Sequence, residues 1–212
     1  MCAEIRLGTI DLLPQNMQQL IQWIRAEESL MAALRLARSL ELPQWCIAAG
    51  SIRNLVWDRI HGFDFQLAEI DLIYWDDRDI SSERDQAAQQ QLSQLAPHWQ
   101  WDVCNQAGVH RWYRNQNGQA IVPFSSTLAA MASWPETATA IGASLDQHDA
   151  LHIWAPPLYG GESALLDLFA LRLRHNPTQV SRAVFEQRVQ DKQFLQRWPK
   201  LHLMKAYNQA DC

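Results

Sequence analysis

The feature that most constrains this chain is a short apolar run that ends in a glycine and a serine. The run WCIAA (45–49) has the length and composition of a buried strand, and IRNLVWDRI (52–60) reads as a helix. Gly50-Ser51 lies between them as a turn. Such a turn exposes backbone N–H groups at a helix N-terminus, where a phosphate can bind. The same pattern also fits a tight turn whose serine only caps the helix.

The next apolar run, EIDLIYW (69–75), carries two acids at its start. Side chains alternate along a strand, so Glu69 and Asp71 share one face about 6.5–7 Å apart. Two carboxylates at this distance can share Mg²⁺, which prefers oxygen ligands, and they repel each other without a cation. The alternative is a strand end that emerges into solvent, where two acids need no partner.

A third acid lies on a later strand. In WQWDVC (99–104) the tryptophans alternate with polar residues, which places Asp102 on the polar face of a strand that we expect beside strand 69–75. A glycine-serine turn, an acid pair and a further acid form the layout that two-metal phosphoryl chemistry requires. The metals in such sites lie about 3.5–4 Å apart, and three carboxylates can bridge them.

The remaining periodicity indicates an α/β (mixed α+β) chain with a mixed sheet flanked by helices. Residues 115–118, NQNG, are a hairpin turn signal. The other elements predicted around the core are helices over 14–24, 26–40 and about 81–95, and strands over 109–113 and 119–124. Pro14 is expected in the first turn of its helix.

We expect one domain over 1–212, because no linker or repeat interrupts the sequence. It divides into N-terminal helices (1–42), a core with the candidate site (43–125) and a C-terminal extension (126–212). The net charge is −5, which gives no reason to bind a long nucleic acid. A small anionic ligand held locally by an arginine and magnesium is compatible with that charge.

The cysteines and the N-terminus bear on location. The four cysteines form no CxxC pair, and Cys46 and Cys104 lie in apolar or alternating runs, so we expect buried free thiols. No signal peptide is recognisable, and no apolar run approaches the roughly 18 residues that a membrane span needs. A cytoplasmic protein without a membrane partner is the expectation.

The order GS…[DE]xD…D resembles the nucleotidyltransferase superfamily built on the DNA polymerase β palm. More closely, the chain resembles a bacterial nucleotidyltransferase-like group long listed as a domain of unknown function (the DUF925 group). The resemblance runs from about residue 45 to 201. It is carried by AAGSIRNLVWDRIHG, EIDLIYWDD, WDVCNQAGVHRWY, SWPETATAIG and, more loosely, RHNP and WPKL.

This resemblance implies a polymerase-β-like fold and magnesium-dependent transfer of a nucleoside monophosphate from an NTP to an unknown acceptor. Asp71 and Asp102 would hold the catalytic metal, and Asp102 would also serve as a base for the acceptor hydroxyl. The other roles that the resemblance implies are the nucleotide metal at Glu69 and Asp71, phosphate seating at Gly50 and Ser51, and charge neutralisation at Arg53.

Two features leave alternatives open. The family's strand normally reads Asp-x-Asp, and Glu69 stands at its first position, which favours a catalytically weakened nucleotide-binding or protein-interaction module as the rival function. The other residues that match the family beside the site are Asn105, Gln106, His110, Arg111 and Trp112. They contact base, ribose or acceptor in one interpretation and form hairpin structure in the other.

Overall fold

A five-stranded mixed sheet flanked by helices forms the centre of the protein, which confirms the predicted fold class. The computed structural model describes residues 4–158 and 163–205, with side chains from residue 15 onward. The helices are α1 (Glu4–Ala26), α2 (Glu28–Arg38), α3 (Gly50–His61), α4 (Ser82–Leu95), α5 (Thr127–Met131), α6 (Ala164–Phe169), α7 (Arg182–Asp191) and α8 (Phe194–Arg197). The strands are β1 (Cys46–Ala48), β2 (Glu69–Tyr74), β3 (Gln100–Asn105), β4 (Gly142–Leu145), β5 (Leu151–Trp154), β6 (Arg172–Leu173) and β7 (His202–Leu203).

The strand order in the main sheet is β3-β2-β1-β4-β5. β1 pairs antiparallel with both β2 and β4, and β4 pairs antiparallel with β5. β2 and β3 are parallel, and α4 makes the crossover that a parallel pair needs. β1, which is fully buried, therefore lies at the centre, and β2 separates it from β3.

The turn between β1 and α3 is made by Ala49 and not by the glycine and serine that follow it. Ala49 has φ +52°, a conformation that costs energy in any residue with a side chain. Gly50 and Ser51 are the first two residues of α3. At the other end, α3 stops at Gly62, a glycine in the left-handed conformation (φ 74°).

The predicted hairpin strands over 109–113 and 119–124 are wrong. Val109–Arg111 forms a short 3₁₀ helix, and pairing is limited to one bridge between Arg114 and Ala120 around the turn. Two strands alone are marginally stable in water, and this segment pairs with no third strand within residues 4–158 and 163–205. Val122 is 82 % exposed, so the apolar alternation that predicted the return strand is not used for burial.

The first helix is longer than predicted. α1 runs from Glu4 to Ala26, so Pro14 lies within the helix and not in its first turn. The buried side chains Leu20 and Ile24 attach its C-terminal half to the core. No helix in the described part of the chain is long and apolar enough to cross a bilayer.

An aromatic cluster fastens the C-terminal helices to α3. Trp57 packs edge-on against Trp198 with ring centroids 5.0 Å apart, and against Phe194 at 5.9 Å. The Trp198 indole N–H donates to the buried Asp58 carboxylate at 2.7 Å. These contacts hold α8 and the residue after it against α3.

Candidate active site

Asp71 lies at the meeting point of β1, β2, β3 and α3. Its backbone pairs with Ala48 on one side and with Asp102 on the other, and residues paired in parallel strands point to the same face. The Asp71 carboxylate accepts a hydrogen bond from the backbone N–H of Gly50, the first residue of α3. The sequence order therefore places the helix N-terminus and a second acid on opposite sides of one carboxylate.

The carboxylate of Asp71 carries an uncompensated charge. Burial raises the pKa of Asp71, and the negative charges of Asp102 and Glu69 raise it further. The Gly50 N–H bond and the positive charge of Arg53 act in the opposite direction but do not cancel these effects. A cation placed at Asp71 would relieve this repulsion.

A cleft opens on each side of Asp71. The first, which we call the cationic cleft, has a volume of about 310 Å³. It is lined by Gly50, Ser51, Arg53, Arg188, Lys192 and Arg197. The second, which we call the aromatic cleft, has a volume of about 340 Å³. It is lined by Asp102, Gln106, Trp112, Tyr113, Phe124 and Trp134. Asp71, Ala49, Thr139 and Arg188 line both clefts.

Arg53 is a buried cation without a carboxylate partner within salt-bridge distance among the described side chains. Its guanidinium donates to the Asn54 amide oxygen at 2.9 Å and lies over the Phe194 ring at 4.6 Å. Burial lowers its pKa to about 10, so it remains charged at neutral pH. Neither Asp58 nor Asp71 forms an ion pair with Arg53, and Asp58 instead binds Trp198 and Arg197.

Three further cations of the cationic cleft come from the C-terminal helices, and sequence reasoning missed all of them. Arg188 on α7 pairs with Glu136, Arg197 on α8 lies 3.4 Å from the Asp58 carboxylate, and Lys192 forms no ion pair among the described side chains. The sequence signal that could have placed these cations at the cleft is the i, i+4 spacing of Arg188 and Lys192. A polar helix with such a pair normally indicates a solvated helix surface.

Ser51 is buried, and its hydroxyl makes a structural hydrogen bond. Its hydroxyl donates to the backbone carbonyl of Glu69 at 3.2 Å, which fastens the start of α3 to the start of β2. It does not cap the helix with its side chain, since Ala49 holds the cap position. Ser51 lines the cationic cleft, and its backbone N–H belongs to the first turn of α3, whose donors lack partners within the helix.

Glu69 lies at the exposed start of β2, on the rim of the cationic cleft. Within the described residues, no group of three or more His, Cys, Asp and Glu side chains is arranged to hold a metal ion. Glu69, Asp71 and Asp102 therefore do not form a preassembled cage. The donors still fit a hard cation, because they supply oxygen alone and because the charges of Asp102 and Glu69 add to the effect of burial in raising the pKa of Asp71.

The five family-matched residues beside the site have separate surroundings. Gln106 and Trp112 line the aromatic cleft. Asn105 is buried and binds the backbone of Asp76 and Asp79, so it holds the loop after β2. His110 bonds the Ala107 carbonyl, and Arg111 donates to the carbonyl of Ile80. Of these five, the structure brings Gln106 and Trp112 to the cleft wall.

A buried carboxylate missed by the sequence reasoning supports the junction of the clefts. Glu136 has no exposed surface, pairs with Arg188, and accepts a hydrogen bond from the Thr139 hydroxyl at 3.1 Å. Thr139 also lies within 3.5 Å of Arg53. This chain of contacts joins α3 to α7 across the site.

Both cysteines in the described part of the chain are free thiols, as predicted. Cys46 is fully buried and Cys104 is partly buried on the wall of the aromatic cleft. Burial raises the pKa of Cys104 to about 12, so its thiol stays protonated and unreactive at neutral pH. Cys2 and Cys212 lie outside the described residues.

Known proteins resemble this chain in sequence and in fold. A family model described as nucleotidyltransferase matches residues 35–203. An NMR structure described as revealing a CCA-adding enzyme head domain has a TM-score of 0.73 and 26 % identity, with 89 % of this chain and 96 % of that chain covered. A tRNA-processing enzyme in an apo form has a TM-score of 0.46 and 14 % identity over 81 % of this chain and 44 % of that chain. No curated protein matches.

Proposed function

The chain belongs to the nucleotidyltransferase family, and from this premise we propose that it transfers a nucleoside monophosphate from an NTP to an acceptor hydroxyl at Asp71 and Asp102. The observation that carries the proposal is the position of Asp71. This acid lies between a cleft with four cations, where a triphosphate fits, and a second acid that can take a proton from the acceptor.

The cationic cleft supports triphosphate binding by charge. Arg53, Arg188, Lys192 and Arg197 face it, and Glu69 and Asp71 are the acids that line it. Glu136 and Asp58 pair with two of the cations, which leaves Arg53 and Lys192 for a ligand. Charge-assisted hydrogen bonds of this kind are about twice as strong as neutral ones, and the helix N-terminus at Gly50 and Ser51 adds backbone donors.

Asp71 and Asp102 would hold the catalytic magnesium ion, and Glu69 and Asp71 would hold the nucleotide magnesium ion. When bound, magnesium neutralises phosphate charge and activates a hydroxyl. The residues of the chain do the rest: the backbone N–H groups at Gly50 and Ser51 bind the phosphates, and Asp102 accepts the proton of the acceptor. Glu69 lies at an exposed position, and its side chain is one methylene longer than the aspartate that is usual in the family. We propose that this longer side chain does not prevent the reaction.

The rival function is a nucleotide-binding or interaction module with weakened chemistry. One observation favours it, because the three acids do not form a ready-made metal cage. Two finer assignments complete the proposal: membership of the DUF925 group, supported by the ordered motifs, and a cytoplasmic location, supported by the free thiols at Cys46 and Cys104.

Calorimetric titration of the protein with each NTP tests the proposal. We expect NTP binding to strengthen with magnesium, because the ion would compensate the negative charges of the triphosphate, Asp71 and Asp102 together. Titration with AMP and with inorganic tripolyphosphate provides the matched pair, and tripolyphosphate should retain most of the magnesium dependence. The absence of any magnesium-dependent signal would contradict nucleotidyl transfer and favour an interaction module.

A further inference from the structure

The aromatic cleft lies on the side of Asp71 away from the cationic cleft. In the sheet order, β2 lies between β1, which leads to Gly50, and β3, which carries Asp102. Gly50 and Arg53 line the cationic cleft but not the aromatic cleft, whereas Asp102 lines the aromatic cleft but not the cationic cleft. The two clefts are therefore separated along one direction, with Asp71 at their boundary.

The reaction determines what must enter from each side. In an in-line displacement the attacking and leaving oxygens lie on opposite sides of phosphorus. If the triphosphate occupies the cationic cleft, the pyrophosphate leaves toward Arg53 and Lys192. The acceptor hydroxyl must then approach the α-phosphorus from the side of Asp102.

The walls of the aromatic cleft indicate the chemistry of that acceptor. Trp112, Tyr113, Phe124 and Trp134 provide apolar and ring surface, and Asp102 and Gln106 provide polar groups. Trp112 is 65 % exposed, so its ring is available to stack on a ligand. Aromatic walls with a few placed polar groups, in a volume of about 340 Å³, are typical of small-molecule sites.

The charge of the cleft argues against a nucleic acid in this position. Among its described lining residues the cation is Arg188, and that guanidinium is paired with the buried Glu136. Asp71 and Asp102 add negative charge on the same wall. Binding to a nucleic-acid backbone depends on lysine and arginine contacts to phosphates, which this cleft does not offer.

We propose that the aromatic cleft binds the acceptor, and that the acceptor is a small uncharged alcohol with a flat ring of about nucleoside size. This inference rests on the proposed function. In the step, the acceptor oxygen forms a bond to the α-phosphorus, and the bond from this phosphorus to the α–β bridging oxygen breaks. The electron pair leaves with pyrophosphate, and the hydroxyl proton passes to the Asp102 carboxylate.

Ribonucleosides are suitable probes, because they combine a flat ring with free hydroxyls. Their binding is measured on the whole protein loaded with magnesium and an NTP analogue that has a methylene between its α- and β-phosphorus. We expect ribonucleosides to bind this loaded protein, and we expect ribose, which lacks the flat ring of the base, not to bind. Trp112→Ala should weaken nucleoside binding by about 5- to 100-fold, the usual loss for one stacked base.

The control variant is Phe63→Ala, which removes another exposed aromatic ring outside both clefts and should leave nucleoside binding unchanged. Binding of magnesium tripolyphosphate should be the same in Trp112→Ala and the unaltered protein. Tripolyphosphate that fails to bind the unaltered protein contradicts the proposed function itself. Normal tripolyphosphate binding with no nucleoside binding contradicts only the acceptor inference.

Two further outcomes would overturn the inference. If the NTP analogue displaces the nucleoside and Trp112→Ala weakens the analogue, the cleft holds the base of the NTP and not the acceptor. If an RNA oligonucleotide binds the loaded protein more tightly than nucleosides do, and Trp112→Ala weakens that binding, the acceptor is a nucleic-acid end.

Discussion

Asp71→Asn should reduce magnesium-dependent NTP binding by at least about 100-fold and raise the melting temperature of the ligand-free protein. Loss of a group that merely supports a metal site costs about 10- to 100-fold, and Asp71 is the acid proposed to touch the metal. Asparagine keeps an oxygen that can accept the Gly50 N–H bond, so the fold remains. Calorimetry and a thermal melt measure the two effects on the same sample.

The stabilisation follows from the sign of the pKa shift. Burial raises the pKa of Asp71, so the folded protein binds a proton there more tightly than the unfolded chain does. The ionised carboxylate therefore destabilises the fold at pH values above its folded pKa, and this cost disappears as the pH falls through that pKa. Asparagine removes the charge at every pH, so the gain in stability should be present at neutral pH and absent in acid.

Asp77→Asn is the matched control, because Asp77 is exposed just after β2 and lines neither cleft. It should change neither NTP affinity nor melting temperature. Unaltered NTP affinity in Asp71→Asn would remove Asp71 from the site. A lowered melting temperature would show that its charge is compensated in the fold and that the electrostatic account is wrong.

Gly50→Val should leave the protein folded and reduce NTP affinity by about 100-fold or more. A Cβ at Gly50 would lie 3.8 Å from the Arg53 guanidinium and 3.9 Å from the Asp71 carboxylate, which are ordinary contact distances. The fold therefore tolerates a side chain there, but the valine methyls would separate the triphosphate from Arg53 and the helix N-terminus. Each lost bond to a charged group is worth about 1.5–3 kcal/mol, or about 10- to 100-fold in affinity.

Gly142→Ala provides the contrast for this experiment. A Cβ at Gly142 would lie 2.7 Å from the Cys46 sulfur, so β1 and β4 would have to move apart. This variant should lower the melting temperature, while the protein that remains folded keeps its NTP affinity. If Gly50→Val instead loses stability as Gly142→Ala does, Gly50 serves packing and the phosphate seat is wrong.

Local patterns predicted the elements on which the proposed site is built. Alternation in EIDLIYW and WQWDVC is sufficient to place Asp71 and Asp102 on polar faces, and the parallel pairing of β2 and β3 puts them side by side. Gly62 ends α3 because a helix stop is a local property of the backbone. These inferences succeed because strand alternation and helix termination depend on neighbouring residues.

The failures have a common physical cause in contacts between distant segments. Arg188 and Lys192 reach the cleft because Trp198 packs on Trp57 far earlier in the chain, and no local pattern encodes that contact. The strain at Ala49 is likewise imposed by the surrounding packing, where sequence rules would choose glycine. The hairpin predicted after β3 failed because apolar alternation indicates a strand only where another strand can pair with it.

A crystal structure of the protein with magnesium and the methylene NTP analogue tests the central claim most directly. We expect a triphosphate in the cationic cleft, in contact with Arg53 and Lys192, and an α-phosphate beside Asp71 on the boundary of the two clefts. Asp102 should face the α-phosphorus from the opposite side, with the aromatic cleft open behind it. A triphosphate bound in the aromatic cleft, or at any surface away from Asp71, would contradict the account.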